Sequence, residues 1–385
     1  MKSVVVRKTK RLSSGHLWVF SNELAEKPTG FEPGELVELI STQGEFLAMA
    51  YINPHSLIAA RILCRQRIAI DTDFLNQRIA DAIAFRKRLY GNVDSGRLVF
   101  AESDGLPGLV IDRYTDTVVI QSTTAGIDRL LDPIVDAVNG LLSPRCIVLR
   151  NDTAIRRLEG ITESKQVLKG KLQPLAIINE AGVQFEIDCW EGQKTGFFMD
   201  QKENRVAFAD LVSGGEGLDL CSNVGAWAIH MAKRGVKVKC IDIAQRAIEQ
   251  VNRQAKLNGL EDQVQAECGN VFDYLGQTAA KSYDAIVLDP PAFAKSKAKI
   301  RNALKAYQTI NGAAMSALKT GGLLATSSCS YHINLPDFIQ ILQQAAKISG
   351  VKTRIIEIRS QAKDHPSLLA MPETRYLKCV FLQRI

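Results

Sequence analysis

The sequence lacks the patterns that mark membrane-spanning, secreted and zinc-ribbon proteins. None of its apolar runs approaches the roughly 20 residues that a membrane-spanning helix needs. The first residues, Met1 to Arg11, are basic without a long apolar stretch, so we expect no secretory signal. The eight cysteines include no pair spaced Cys-x-x-Cys, so neither a zinc ribbon, nor another metal site, nor a disulfide framework is indicated. We therefore expect a protein of the reducing cytoplasm.

Neither the length nor the charge of the chain is extreme. At 385 residues it is longer than one typical domain, which predicts two or three domains. Its hydrophobic fraction of 46% is sufficient for ordinary buried cores. A formal net charge of +7 is compatible with a polyanionic partner, although many basic proteins bind no nucleic acid. Composition alone leaves the function open.

The C-terminal half lacks the Gly-x-Gly-x-x-Gly loop of dinucleotide-binding proteins. From about Gly182 onward, strands and helices alternate regularly, which predicts a parallel sheet. The first buried strand leads into a loop with a single glycine, Gly225, and the second strand ends at Asp242. An acid at that position accepts hydrogen bonds from ribose hydroxyls. Because S-adenosylmethionine (SAM) carries no phosphate, this loop suits SAM better than NAD.

Two further segments of this half carry candidate contacts for such a cofactor. The segment before the first strand, around residues 191–205, has two glycines and two phenylalanines in its first half. This composition would let it fold over the methionine half of SAM, with Gln193, Phe197 and Phe198 as contacts. After the third strand, Asn270 could pair with the adenine edge, with Val271 beside it.

A short apolar strand, Ala285 to Leu288, stops at Asp289-Pro290-Pro291. Proline has no N–H for a sheet ladder, so the strand is predicted to end at Asp289. In open α/β sheets, ligands bind at the carboxyl ends of the strands. The pattern Asp-Pro-Pro-x-Phe resembles motif IV of the SAM-dependent nucleic-acid methyltransferases.

A second strand-end motif, Ser328-Cys329-Ser330, follows the apolar run Leu323 to Ala325. In a doubly wound sheet this end is expected to lie beside the Asp289 turn. Cytosine C5 is a poor nucleophile, but a thiolate that adds to C6 turns the ring into an enamine whose C5 can attack a sulfonium methyl group. Methylation of an exocyclic nitrogen needs no thiol, and a single cysteine is more often buried and inert. The position of Cys329 at a strand end favours the catalytic interpretation.

The N-terminal part is predicted to contain two smaller units. Residues 1–70 contain several short strands, which suggests a small barrel. Its segments Gly15–Asn22, Pro33–Glu35 and Tyr51–Pro54 resemble those of a PUA domain, a small RNA-binding barrel. Residues 71–182 alternate helices with strands as an α+β module. The predicted phosphate contacts are basic residues of the first unit and of the segment after Phe293: Lys8, Arg11, Arg61, Lys295, Lys297, Lys299 and Arg301.

Taken together, these motifs resemble the bacterial 23S ribosomal RNA cytosine-C5 methyltransferases that carry an N-terminal PUA domain. The motifs quoted above are joined by Asp200–Arg205, Asp364–Pro366 and Pro372–Lys378. The resemblance implies an α/β fold class, in which a Rossmann-like class I methyltransferase domain at 183–385 follows the PUA barrel and the α+β domain. It also implies SAM as methyl donor and 5-methylcytidine in 23S ribosomal RNA, or its large-subunit precursor, as product.

The resemblance also implies roles for individual residues. Cys329 would be the nucleophile, and Asp289 would hold the cytosine edge while bordering the cofactor. Asp242 would take the ribose hydroxyls, and Asp219 and Asn223 would complete the cofactor site around Gly225. Many cytosine-C5 RNA methyltransferases have a second cysteine where this chain has Ala292, so another group must remove the C5 proton. His365, Glu373 and water are the candidates.

Three other functions remain open at this point. One is a guanine N-methyltransferase acting on ribosomal RNA, because such enzymes share Asp-Pro-Pro-x-Phe but not Ser-Cys-Ser. Another is a non-catalytic RNA-binding or assembly factor, and NAD-dependent chemistry is the least favoured. We expect neither membrane nor metal as a partner, and a homodimer is left open.

Overall fold

The computed structural model describes residues 1–293 and 300–385. These residues form two compact units, each built from separate stretches of chain. Unit 1 comprises Met1–Ile178, Ile187–Met199 and Lys363–Arg375, and unit 2 comprises Asn179–Glu186, Asp200–Ala362 and Tyr376–Ile385. No helix in the described ranges is long and apolar enough to cross a membrane. The predicted boundaries at residues 70 and 182 stay predictions.

The first sheet of unit 1 is formed by the predicted β-rich segment. Its five strands lie in the order β1-β3-β4-β5-β2. They are β1 (Lys2–Val6), β2 (Trp18–Val19), β3 (Glu35–Ser41), β4 (Phe46–Ile52) and β5 (Ala60–Cys64), with the short helix α1 (Lys10–Ser13) between the first two. Alternate residues of β3 are buried, among them Val37 and Leu39, so this strand packs one face on a core.

The second sheet of unit 1 also has five strands, in the order β10-β9-β8-β7-β6. They are β6 (Ser95–Phe100), β7 (Leu109–Tyr114), β8 (Thr117–Ser122), β9 (Cys146–Arg150) and β10 (Lys165–Gly170). Its helices are α2 (Thr72–Tyr90), α3 (Ala125–Arg129) and α4 (Leu131–Leu142). Helix α2 begins at Thr72 because the Asp71 carboxylate caps it, accepting a hydrogen bond from the Phe74 N–H at 3.0 Å.

A two-stranded sheet of β11 (Ala176–Glu180) and β12 (Val183–Ile187) precedes the large sheet of unit 2. The seven strands of that sheet are β13 (Glu216–Leu220), β14 (Lys237–Asp242), β15 (Val264–Cys268), β16 (Tyr283–Leu288), β17 (Leu318–Ser328), β18 (Thr353–Arg359) and β19 (Lys378–Arg384). The helices of unit 2 are α5 (Lys202–Ala209), α6 (Ala226–Ala232), α7 (Gln245–Leu257), α8 (Val271–Gln277), α9 (Ile300–Ala317) and α10 (Leu335–Ser349).

The strand order in this sheet is β15-β14-β13-β16-β17-β19-β18. The first five strands are parallel, and β19 runs antiparallel to both of its neighbours. From β13 the chain first builds the sheet outward through β14 and β15, and then returns to add β16 on the other side of β13. The carboxyl ends of β13 and β16 therefore border a topological switch point, the position at which open α/β sheets bind ligands.

The last four residues of β16, Ala285 to Leu288, form a continuous apolar run, as expected for a strand that helices cover on both faces. Ile286, Val287 and Leu288 of β16 are fully buried. On one face, Tyr307 of α9 and Phe338 of α10 belong to the same apolar cluster as Ile286 and Leu288. The regular strand and helix alternation predicted for this half is confirmed, and it places the polar strand ends at one edge.

Candidate active site

Strand β16 ends at Leu288, and Asp289 follows it at the edge of the sheet. The Asp289 N–H donates to the Leu220 carbonyl of β13 at 3.4 Å, while Pro290 has no N–H to continue the ladder. The Asp289 carboxylate is partly exposed. Its Oδ2 accepts hydrogen bonds from Gln201 Nε2 at 3.1 Å and from Trp227 Nε1 at 3.3 Å. The predicted strand end is confirmed, and its carboxylate is held by two side-chain donors.

Gln201 lies at the centre of a hydrogen-bond chain that fixes its amide. Its Nε2 also donates to Ser327 Oγ at 3.1 Å, and its Oε1 accepts from Asn204 Nδ2 at 2.6 Å. The Arg359 guanidinium in turn donates to Asn204 Oδ1 at 2.9 Å. Gln201 and Asn204 both belong to the motif Asp200–Arg205. The sequence of this motif supports the family resemblance but does not predict what its side chains contact. Sequence reasoning missed Gln201 and Trp227 as partners of Asp289.

Cys329 directly follows β17, the strand next to β16. Leu288 is paired with Thr326, so the turn at Asp289 and the turn at Cys329 leave the same edge of the sheet from neighbouring strands. Cys329 is partly exposed, whereas Ser328 and Ser330 on either side are fully buried. The expected placement of the two strand ends side by side is confirmed.

Tyr307 of α9 contacts both of these turns. Its hydroxyl forms a hydrogen bond with Ser330 Oγ at 3.2 Å, and its ring lies 4.7 Å from that of Phe293 between centroids. The Ser330 N–H also donates to Ser328 Oγ at 3.3 Å, which closes the turn around Cys329. Burial raises the pKa of Tyr307, so its hydroxyl keeps its proton at neutral pH.

Lys378, at the start of β19, reaches the same turn from the other side. Its side chain is buried, and its Nζ donates to the carbonyl oxygens of Ser330 and Tyr376, both at 2.8 Å. Burial lowers the pKa of Lys378 from 10.5 to about 8, while the charges of Cys329 and Asp337 oppose that decrease. The motif Pro372–Lys378 is visible in the sequence, but the sequence does not predict that its lysine lies beside the Cys329 turn.

The loop between β13 and α6 adopts an unusual backbone. Cys221, Asn223 and Gly225 have positive φ angles of 61°, 51° and 75°, so every second residue is left-handed. A Cβ atom at Gly225 would lie 3.1 Å from Val251, which makes a larger residue strained as well as crowded. The loop is tied to the second strand, because the Asn223 N–H donates to Asp242 Oδ2 at 2.9 Å.

Asp219 of β13 is a fully buried carboxyl group behind this loop. Its Oδ2 accepts from the Ala228 N–H at 3.1 Å, while its Oδ1 has no hydrogen-bond partner within the described part of the chain. Burial raises the pKa of Asp219 from 3.8 to about 8 against the opposing Ala228 hydrogen bond, with further contributions from the charges of Asp289 and Asp242. Three carboxyl groups therefore influence one another at this edge of the sheet.

The turn after β15 carries the last predicted cofactor contacts of unit 2. Asn270 is exposed and caps α8, since its Oδ1 accepts from the Phe272 N–H at 2.8 Å. Val271 is partly buried against the core. Phe272 is 37% exposed and lies 6.3 Å from Phe293 between ring centroids, so it is not a buried core residue.

Other predicted residues lie in unit 1. Gln193 is exposed, and Phe197 is buried with its N–H donating to the Tyr114 hydroxyl at 3.2 Å. Phe198 is partly buried, and Lys194 Nζ lies 4.3 Å from its ring centroid. Their predicted role as cofactor contacts stays a prediction.

Both candidate bases also belong to unit 1. His365 is 2% exposed, forms a hydrogen bond with Asp364 Oδ1 at 2.8 Å and packs against Phe100. Glu373 Oε1 lies 3.4 Å from His16 Nε2. These contacts give each residue a structural role within its own unit, and the role of base stays a prediction for both.

The predicted phosphate contacts differ in their surroundings. Lys8 and Arg301 are exposed, and Arg11 is partly exposed with its guanidinium over the ring of Phe20. Arg61, by contrast, is 8% exposed and forms ion pairs with Glu102 at 3.3 Å and Glu159 at 3.0 Å, so its charge is balanced inside unit 1. Lys295, Lys297 and Lys299 lie outside the described residues. Across the residues that the structure does describe, no group of three potential metal ligands is found.

Comparison with known proteins supplies independent information. Residues 5–65 match the PUA-like domain family and residues 204–352 match the Methyltransferase small domain family. Proteins named Ribosomal RNA large subunit methyltransferase I, from Vibrio cholerae and Aeromonas hydrophila, are each 36% identical to the chain over 97% of either sequence.

Two solved structures resemble the whole chain. A candidate methyltransferase complexed with S-adenosylhomocysteine (SAH) has a TM-score of 0.86 at 20% identity. A candidate SAM-dependent methyltransferase from Streptococcus mutans has a TM-score of 0.83 at 19% identity. Each comparison covers 100% of both chains. The predicted fold class, a class I methyltransferase fold preceded by a PUA-like domain, is confirmed.

Proposed function

The chain belongs to the ribosomal RNA large subunit methyltransferase I family, and from this membership we propose that it transfers a methyl group from SAM to C5 of a cytosine in large-subunit ribosomal RNA. The observation that carries the choice of carbon is the position of Cys329. It is a partly exposed thiol directly after β17, one strand away from the Asp289 turn. A nitrogen methyltransferase has no use for a nucleophile at that place.

The proposed reaction assigns one task to each turn. The Cys329 thiolate adds to C6 of the cytosine, which forms the S–C6 bond and places electron density on C5. The Asp289 carboxylate accepts hydrogen bonds from the polar edge of the same base. SAM, when bound, supplies an electrophilic methyl group and leaves as SAH. Loss of the C5 proton to a base then allows the S–C6 bond to break and regenerates the thiolate.

The residues around the β13–α6 loop suit SAM. Asp219 Oδ1 is buried without a hydrogen-bond partner among the described residues, and two further carboxylates, Asp242 and Asp289, raise the pKa of its carboxyl group. A cationic ligand without phosphate groups is the type of molecule that such a site favours electrostatically. Asp242 would bind the ribose hydroxyls, because each of its oxygens accepts one backbone N–H and retains a second lone pair. Asn270 and the backbone near Val271 would meet the adenine ring.

The test is product analysis of ribosomal RNA methylated in vitro by the wild-type protein and by Cys329→Ala. Nucleoside mass spectrometry should detect 5-methylcytidine with the wild type, and the variant should bind SAM normally but transfer no methyl group. Cys268→Ala is the matched control, because Cys268 is an exposed cysteine of the same unit on β15, which two strands separate from β16. Full activity of Cys329→Ala would remove the proposed nucleophile.

Guanine N-methylation is retained as a second candidate because of one observation. Ala292 occupies the place in the Asp289 turn where many cytosine-C5 RNA methyltransferases carry a second cysteine, so this chain has no thiol there to assist proton removal. Methyl transfer to a nitrogen needs neither thiol. Methylguanosine in place of 5-methylcytidine in the same mass spectra would establish this alternative.

A further inference from the structure

Lys378 is a buried basic residue beside the Cys329 turn. It is paired with Ser328 across β17 and β19, and its Nζ donates to the carbonyl oxygen of Ser330 at 2.8 Å. The lysine therefore contacts both neighbours of Cys329 in sequence, one through strand pairing and the other through its ammonium group. A second hydrogen bond, to the Tyr376 carbonyl at 2.8 Å, fixes the direction of its side chain.

We infer that Lys378 is a positioning residue for Cys329, whose buried ammonium group holds the Ser328–Ser330 turn and favours the thiolate form of the nucleophile. A positive charge next to a cysteine stabilises its thiolate, and the thiolate is the reactive species. The inference rests on the proposed use of Cys329 in catalysis. It goes beyond that proposal by naming the group that activates the thiol.

The other charged and titratable groups around the pair support this assignment. Tyr307 approaches from α9, and burial raises its pKa, so it contributes a neutral hydroxyl rather than a negative charge. Asp337, in the first turn of α10, also influences the pKa of Lys378. Because that pKa is about 8, the lysine remains protonated at pH 7 despite its burial. The ammonium group is thus charged at the pH at which the enzyme must work.

The burial of Lys378 makes its charge act more strongly on Cys329 than the charge of a surface lysine would. Its side chain is 7% exposed, so solvent screens its charge weakly. The hydrogen-bond acceptors of its Nζ, at Ser330 and Tyr376, are backbone carbonyls, which carry no net charge. Within residues 1–293 and 300–385, no carboxylate is bonded directly to this ammonium group, so its positive charge remains effective at the neighbouring thiol.

The test measures alkylation of Cys329 by iodoacetamide across pH 5–10, followed by peptide mass spectrometry, in the absence of RNA. In the wild type, the pH at which the Cys329 rate is half-maximal should lie below that of Cys268, the exposed cysteine of the same unit. Lys378→Met and Lys378→Gln should lower the Cys329 rate at pH 7 by about 10-fold and recover it at high pH. Lys378→Arg, which keeps the charge, should change it by less than about 3-fold.

The glutamine variant separates charge from hydrogen bonding, because it keeps an N–H donor without a charge. A glutamine variant with the wild-type pH profile would therefore overturn the inference. If a variant does not fold, the comparison of Cys329 with Cys268 in the wild type decides, since a midpoint at or above that of Cys268 overturns the inference by itself. The assay is independent of methyl transfer, so failure of the proposed product and failure of this inference are distinguishable.

Discussion

The buried carboxyl group of Asp219 gives the most quantitative prediction. Burial raises the pKa of this group to about 8 in the folded protein, from 3.8 in the unfolded chain. The folded protein therefore retains a proton that the unfolded chain releases, and the free energy of unfolding falls as the pH rises between these values. Each pH unit within this window corresponds to about 1 kcal/mol, so the contribution amounts to several kcal/mol between pH 4 and pH 8. Above pH 8 the difference should be constant.

The substitution Asp219→Asn removes this titration while keeping an acceptor for the Ala228 N–H. Urea unfolding of unit 2 can be followed by the fluorescence of Trp227, the tryptophan of that unit, after Trp18 and Trp190 are replaced by phenylalanine. In this background, the free energy of unfolding is measured for the protein that retains Asp219 and for its D219N variant. As the pH rises, the value for the protein that retains Asp219 should fall relative to the value for D219N. The expected difference is about 1 kcal/mol per pH unit between pH 5 and pH 8.

The control is Asp262→Asn, which replaces an exposed carboxylate of the same unit. Its free energy of unfolding should run parallel to that of the unsubstituted background at every pH. Parallel curves for D219N as well would show that Asp219 is ionised in the folded protein at neutral pH. There would then be no neutral acid behind the loop between β13 and α6.

Three further predictions concern the same unit. Because a cation favours ionisation of Asp219, the dissociation constant of SAM measured by calorimetry should decrease between pH 6 and pH 8 in the wild type, and D219N should lose part of this dependence. Gln201→Ala removes a donor to Asp289 and should reduce the rate of methyl transfer about 10-fold with unchanged SAM affinity. The control Gln344→Ala, on the exposed face of α10, should leave the rate unchanged. Equal rates for the two variants would contradict the positioning role of Gln201. Although burial opposes it, Arg205 and His230 lower the pKa of Glu180 to about 2, so this carboxylate stabilises the fold above pH 4.5 and that stability is lost as the pH falls toward 2. Glu180→Gln should therefore lower the melting temperature at pH 7. It should also weaken the decrease of the melting temperature as the pH falls from 4.5 toward 2.

The sequence predicts the two strands that lead into the candidate active site. The apolar run before Asp289 and the run before Cys329 must both be buried, and parallel strands covered by helices place their carboxyl ends at one edge. Local pattern and general rules of topology are sufficient for this prediction. They predict the side-by-side placement of the two turns that the register of β16 and β17 shows.

The sequence does not predict which side chains contact Asp289 and the Cys329 turn, because these partners come from distant parts of the chain. Gln201 and Asp289 are 88 residues apart, and Lys378 and Ser330 are 48 residues apart. The charge of Arg61 illustrates the same limit, since its burial depends on two glutamates that lie 41 and 98 residues further along the chain. Basic composition suggested a phosphate contact, whereas the ion pairs are visible only in the folded unit. Its role in RNA binding stays a prediction.

The two turns of the candidate site share part of their support. Gln201 and Trp227 hold the carboxylate of Asp289, and they come from the segment before β13 and from α6. Lys378 and Tyr307 hold the turn of Cys329, and they come from β19 and α9. Gln201 also donates to Ser327 Oγ, two residues before Cys329, and the Tyr307 ring also packs against Phe293 of the Asp289 turn. Substitutions at these two residues are therefore expected to affect both turns. A carbon methyltransferase needs both the carboxylate and the thiol at one base, whereas a nitrogen methyltransferase needs only the carboxylate. Loss of methyl transfer in Lys378→Gln would therefore support the proposal of cytosine as the target, whereas unchanged transfer would support a nitrogen target.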